Sequence, residues 1–116
     1  KSLLDRVATV VFGTDAPVEV GDPRIEFYAA VARKDLQGRW GPDWHLEQAI
    51  DRASALTAFT LTANHVGGGD CGVLVQSCPA DITVFSADIM TIPEAEILKV
   101  KAVLTIVVGR IVHDGR

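Results

Sequence analysis

The residue with the clearest chemical potential is Asp15. It stands at the tip of Val10-Val11-Phe12-Gly13-Thr14-Asp15-Ala16-Pro17-Val18-Glu19. Val7 to Phe12 is mostly β-branched or aromatic and too short for a comfortable helix, so it reads as a fully buried strand. Gly13 lets the backbone leave that strand at an unusual angle, and Pro17 stops it from resuming. An acid just past the C-terminal end of a parallel-type strand occupies the place where α/β barrels put catalytic groups. The same acid equally suits a turn, where Asp caps nearby backbone. The residues alone leave both readings open.

Other chemistry-bearing side chains are scattered. Trp40, Trp44 and His45 share the loop from Lys34 to Glu47 with Gly38, Gly41 and Pro42. Such aromatics can lid a pocket, or they can pack the loop onto its own domain, which is the reading preferred here. His45 has no histidine at i+2 or i+4, so it is not expected to bind metal. His65 reads as a helix-end residue beside Gly67-Gly68-Gly69, where a cation suits the dipole and glycine suits the C-cap. The three glycines lack the Lys-Ser/Thr of a phosphate loop and follow a helix instead of a strand. Cys71 and Cys78 have six residues between them. That spacing permits a bridge, but without a CxxC pair or a nearby histidine they make a poor zinc site. They are expected to be reduced thiols, which points to a reducing cytoplasm. Arg24 is expected on the solvated side of a helix with Glu26, Arg33 and Lys34; its alternative is a substrate carboxylate.

The elements that must position these groups follow from caps and periodicity. Lys1 to Arg6 reads as a helix end leading into the Val7–Phe12 strand. Asp22 is a good N-cap and Pro23 a good first residue for a helix to about Arg33, with Ile25, Tyr28, Ala29 and Ala32 on one face. Asp51 caps the clearest helix, Asp51 to His65. From Asp70 the pattern changes to short strands, Cys71–Leu74 and Pro79–Phe85, with one helical turn expected over Glu94–Leu98. Val100 to Val108 is a strongly apolar strand. Val103 to Val112 reads as a hairpin turning on Gly109-Arg110.

The whole is short: 116 residues hold one domain or part of a larger one. Hydrophobic residues make up 48% and charged ones 22%, which suits a globular chain and excludes a disordered one. A net charge of -4 offers no basic footprint for nucleic acid or an anionic membrane. No apolar run is long enough to span a bilayer, and no signal peptide is visible. The first residue is Lys1 instead of Met, which reads as an N-terminus that is processed, trimmed or incomplete.

Gly13-Thr14-Asp15-Ala16-Pro17-Val18-Glu19, followed by Asp22-Pro23 and Phe27-Tyr28-Ala29-Ala30-Val31, resembles the last barrel strand and following segment of the amidohydrolase superfamily. The branch it is most similar to is the metal-dependent hydrolases related to N-acyl and formamide amidohydrolases. Ala55 to Asn64 resembles that family's final barrel helix. Ala80-Asp81 and the Thr105 to Val112 hairpin resemble the small β domain that closes such chains, although Cys78 stands where the family has a lysine. The resemblance covers nearly the whole chain, but only the family's C-terminal part.

The resemblance implies an α/β fold: the last strand and helices of a TIM-like (β/α)8 barrel, then part of a small β-sandwich domain. Residues 1-66 would be the barrel portion and 67-116 the β-domain segment. It implies hydrolysis of amide-type C–N bonds in a small-molecule substrate, with a divalent metal, zinc by expectation, in the full-length family. Asp15 would be both catalytic acid and metal ligand. A barrel takes eight strands and about 250 residues, so the chain alone is expected to bind no metal and to be inactive. The alternative is a stand-alone, non-catalytic binding or oligomerisation module, with homo-oligomers hiding the edges of a lone barrel strand.

Overall fold

The computed structural model describes residues 1–116. Helix α1 is Ser2–Asp5, α2 Pro23–Ala32, α3 Arg52–Phe59, α4 Leu61–Val66 and α5 Glu94–Ile97, with single 3₁₀ turns at Pro42–Trp44 and Leu46–Gln48. The strands are β1 Ile82–Phe85, β2 Ala102–Val107 and β3 Arg110–Asp114. They form one antiparallel sheet in the order β1-β2-β3. The architecture is a small mixed α/β arrangement, and every strand pairing in it is antiparallel.

Helix α2 begins as its sequence dictates. The Asp22 side chain accepts a hydrogen bond from the Arg24 N–H, and Pro23 supplies the first turn. The buried stripe is Phe27, Tyr28, Val31 and Ala32, in place of the expected Ile25, Tyr28, Ala29 and Ala32. Ala29 is exposed. The stripe is rotated because the bulkier Phe27 and Val31 offer more apolar area than Ile25 and Ala29 to what α2 packs on.

The single helix expected over Asp51–His65 is two helices. Asp51 caps the first, accepting from the Ser54 N–H at 2.8 Å. The break falls at Thr60, with φ −114° and ψ −86°. Its hydroxyl donates to the Leu56 carbonyl at 2.8 Å, the local competition by which Thr disturbs helices.

The core is Phe27, Tyr28, Val31, Ala32, Ala55 and Ile97, with Ile50, Phe59, Ile89, Met90, Ile92 and Leu98 packed around it. It therefore takes residues from both sides of position 66. Two arginines join the same parts. The Arg52 guanidinium donates to the Ile89 and Ile92 carbonyls at 2.7 and 2.6 Å, and Arg24 donates to the Val100 carbonyl.

Four expectations are corrected. Val7–Phe12 is not a strand, and Val7 is 93% exposed. A strand needs a ladder partner; beyond residue 9 this segment makes one backbone bond to the rest of the fold, Phe12 N–H to the Ala58 carbonyl at 3.3 Å. Phe12 instead rests its ring 5.3 Å from that of Phe59. Cys71–Leu74 is likewise no strand. Cys71 and Cys78 are not free thiols but a disulfide, their Cα atoms 5.6 Å apart, inside the range a bridge requires. The reducing compartment drawn from them loses its support. Finally, the β2–β3 turn is Val108-Gly109, not Gly109-Arg110, since Val107 pairs with Arg110. Both turn residues have positive φ, 49° and 76°, as a hairpin turn of the primed type needs. The turn is fixed from outside: Val108 N–H donates to the Asp81 carboxylate at 2.7 Å, and Gly109 N–H to the Ala80 carbonyl at 3.1 Å.

Candidate functional site

Asp15 lies in an exposed turn. Its φ is +51°, a left-handed conformation that Asp tolerates better than most residues because its short polar side chain can bond locally. Its carbonyl accepts from Val18 N–H at 2.9 Å and Glu19 N–H at 3.3 Å, which closes the turn. Its carboxylate takes no hydrogen bond from the protein and stands open to solvent.

The other candidates do not converge on it. His45 is exposed, its Nδ1 2.9 Å from a Glu47 carboxylate oxygen. His65 lies in the last turn of α4, as expected. His113 reaches the Ala102 carbonyl at 3.1 Å from β3. No group of three or more His, Cys, Asp or Glu side chains is placed to hold a metal ion.

The tryptophans contradict the expected packing. Trp40 is 59% and Trp44 40% exposed. Their loop is held by its backbone: Arg33, in a left-handed C-cap, donates from Nε and a terminal nitrogen to the Trp44 carbonyl at 3.0 and 2.7 Å. The loop is thus anchored while both tryptophans stay partly exposed, and neither lines the groove between the α2–α4 side and the sheet.

Arg24 is half-buried and committed, not solvated. Its Nε donates to Asp22 at 2.8 Å and a terminal nitrogen to the same carboxylate at 2.5 Å. The Arg24 hydrogen bonds, ahead of the opposing effect of burial, hold the Asp22 carboxyl below its usual range, and Asp22 in turn raises the guanidinium. With the Val100 carbonyl as a second partner, little of Arg24 is left for a substrate carboxylate.

An open groove of about 1040 Å³ lies between the α2–α4 side and the sheet. Phe27, Leu56, Phe59, Leu61, Val73 and Phe85 line it. Neither Asp15 nor the tryptophan loop contributes to it. Sequence reading missed this groove, because it arises where α3, the disulfide loop and β1 meet and no single stretch encodes it. The Cys71/Cys78 spacing permits the observed bridge, but nothing else in the sequence favours it over two reduced thiols.

Comparison with known proteins gives two matches. The family model described as the amidohydrolase family matches residues 1–113. YtcJ of Bacillus subtilis (strain 168), assigned as an amidohydrolase by name only, is 26% identical over 116 residues, a match covering 98% of this chain. The chain spans 22% of that relative's length. No solved structure matches it significantly.

Proposed function

The chain belongs to the amidohydrolase family, and from that premise we propose that it is the C-terminal part of a metal-dependent hydrolase of amide-type C–N bonds. The observation that carries this is the family match over residues 1–113, taken with a relative of which the chain spans 22%. In this reading residues 1-66 belong to the end of a TIM-like barrel and 67-116 to a small β domain. The substrate is a small-molecule amide.

The family generally uses a divalent metal, and zinc is the one proposed. A structural or catalytic zinc takes at least three protein donors. This chain's donors do not fit that demand by themselves: no three candidate ligands come together. What the chain offers is one carboxylate on a turn, unpaired and open, able to take a proton from water and return it to a leaving nitrogen. Asp15 is accordingly the proposed catalytic acid and metal ligand of the assembled enzyme.

The purified chain, incubated with zinc and a panel of N-acyl amino acids and formamides, is expected to release no amine or acid. Metal-dependent hydrolysis that disappears in Asp15→Asn would overturn the inactivity of the isolated chain. The alternative, a non-catalytic binding or oligomerisation module, is favoured by one observation: the groove lies apart from Asp15. Sedimentation showing a discrete dimer or higher oligomer would move the balance towards it. No helix is long and apolar enough to cross a membrane.

A further inference from the structure

We propose that the Cys71–Cys78 disulfide is a redox latch that holds one wall of the apolar groove in place. Three independent features seat the loop it closes. The bridge brings residues seven positions apart to a Cα separation of 5.6 Å, whereas an extended chain of that length would span roughly 23–25 Å. The Asn64 side-chain oxygen on α4 accepts the Cys71 N–H at 2.9 Å. Gly72, at φ +101°, fits against the α3–α4 break so closely that a Cβ there would stand 2.8 Å from the Thr60 carbonyl oxygen and from the Leu61 Cα.

The seat gives the loop its role. Cys71, Gly72, Val73 and Leu74 all line the groove. Leu74 is nonetheless 74% and Val75 59% exposed, so their own burial holds them weakly. What retains them is Asn64, the Gly72 contact and the bridge. The first two act at the start of the loop; the bridge ties in Cys78, and the next anchor along the chain is Ala80, whose carbonyl accepts the Gly109 N–H. Reduction therefore frees residues 73–78 while Cys71 and Gly72 keep their contacts with α4, and the groove opens on that side.

The chemistry is thiol–disulfide exchange with a dithiol. One thiolate of the reductant attacks a cysteine sulfur, the Sγ–Sγ bond breaks, and a mixed disulfide forms. The second thiol of the reductant displaces the other half. Cys71 and Cys78 end as two thiols, and the two electrons lost by the dithiol leave it as a cyclic disulfide.

The test is limited chymotrypsin digestion of the whole chain, followed by mass spectrometry, before and after treatment with dithiothreitol and alkylation. Cleavage after Leu74 needs an extended segment that the closed ring cannot supply. Reduction is expected to speed it at least tenfold relative to cleavage after Trp40 and Trp44, with the far-UV circular dichroism unchanged. The Cys71→Ser/Cys78→Ser double variant is expected to be cut fast with or without dithiol. Equal rates before and after reduction overturn the latch. So does uptake of two equivalents of iodoacetamide by the folded, unreduced chain. Loss of the circular dichroism signal on reduction also overturns it, since the bridge would then be a staple of the whole fold.

Discussion

Asp15 and Arg24 show how differently two charged residues fare once the chain is folded. The acid type at position 15, and its place beside a glycine and a proline, are plain in the sequence. Its neighbours are not, because they depend on segments far away in the chain. The same holds for Arg24: besides Asp22 it is tethered to the Val100 carbonyl, 76 positions away. Removing that guanidinium while keeping an apolar stem, in Arg24→Met, is expected to lower stability by about 1.5–3 kcal/mol, the usual worth of hydrogen bonds to a charged group. Urea denaturation at neutral pH checks it. The pair also sets a pH dependence. Asp22 has a folded pKa lowered by Arg24, so its contribution is fully present above the unfolded value of roughly 3.9 and is lost as pH falls through the folded value. The urea midpoint of the wild-type chain should fall between about pH 5 and pH 2.5. In Arg24→Met that fall should be shallower, though not absent, since Asp35, Asp51 and Asp114 are lowered too, Asp114 to about 2. Equal slopes in the two proteins would show that Arg24 does not act through Asp22.

At the scale of elements, what the sequence made legible is what local chemistry controls. Asp22-Pro23 and Asp51 start helices where expected, Glu94–Ile97 forms its turn, and the C-terminal hairpin forms. What failed is what needs a distant partner. Val7–Phe12 has the composition of a buried strand but no strand beside it, and composition cannot supply one. The hairpin turn slipped by one residue because Asp81, not the turn dipeptide, fixes its position. That slip leaves a visible flaw. Val108 is β-branched and held at φ +49°, where such residues are outliers and Asn is favoured. Val108→Asn keeps the backbone N–H that Asp81 accepts and should stabilise the chain by about 1 kcal/mol, since αL costs an ordinary L-residue roughly 1–2. Thermal melting should move up by a few degrees. The cap makes a matching prediction of opposite sign: Asp51→Ala removes the acceptor for the Ser54 N–H and should cost about 1 kcal/mol.

For the whole molecule the decisive quantity is how little is buried. Only eight of 116 residues are buried, and β3 is exposed at every position. Apolar composition did not foretell this. At 48% hydrophobic the chain has the material for an ordinary core, yet Val18, Val20, Leu74, Ile111 and Val112 are all more than half exposed. Hydrophobic stabilisation follows the area removed from water, not the number of apolar residues. Its calorimetric signature is the heat-capacity increase on unfolding, about 12–15 cal/mol/K per residue for ordinary domains, or roughly 1.4–1.7 kcal/mol/K for a chain of this length. The isolated chain should fall clearly below that range in scanning calorimetry, with a low, broad transition. A value inside it would mean that the exposed apolar residues are covered in solution. Sedimentation of the same sample would then separate two causes. A monomer would point to a more closed chain, with the groove collapsed. A dimer would point to burial between copies, the situation expected of an oligomerisation module. If instead the value is low and the protein monomeric, the exposed apolar surface is free for the remainder of a larger enzyme to cover, as the proposed function requires.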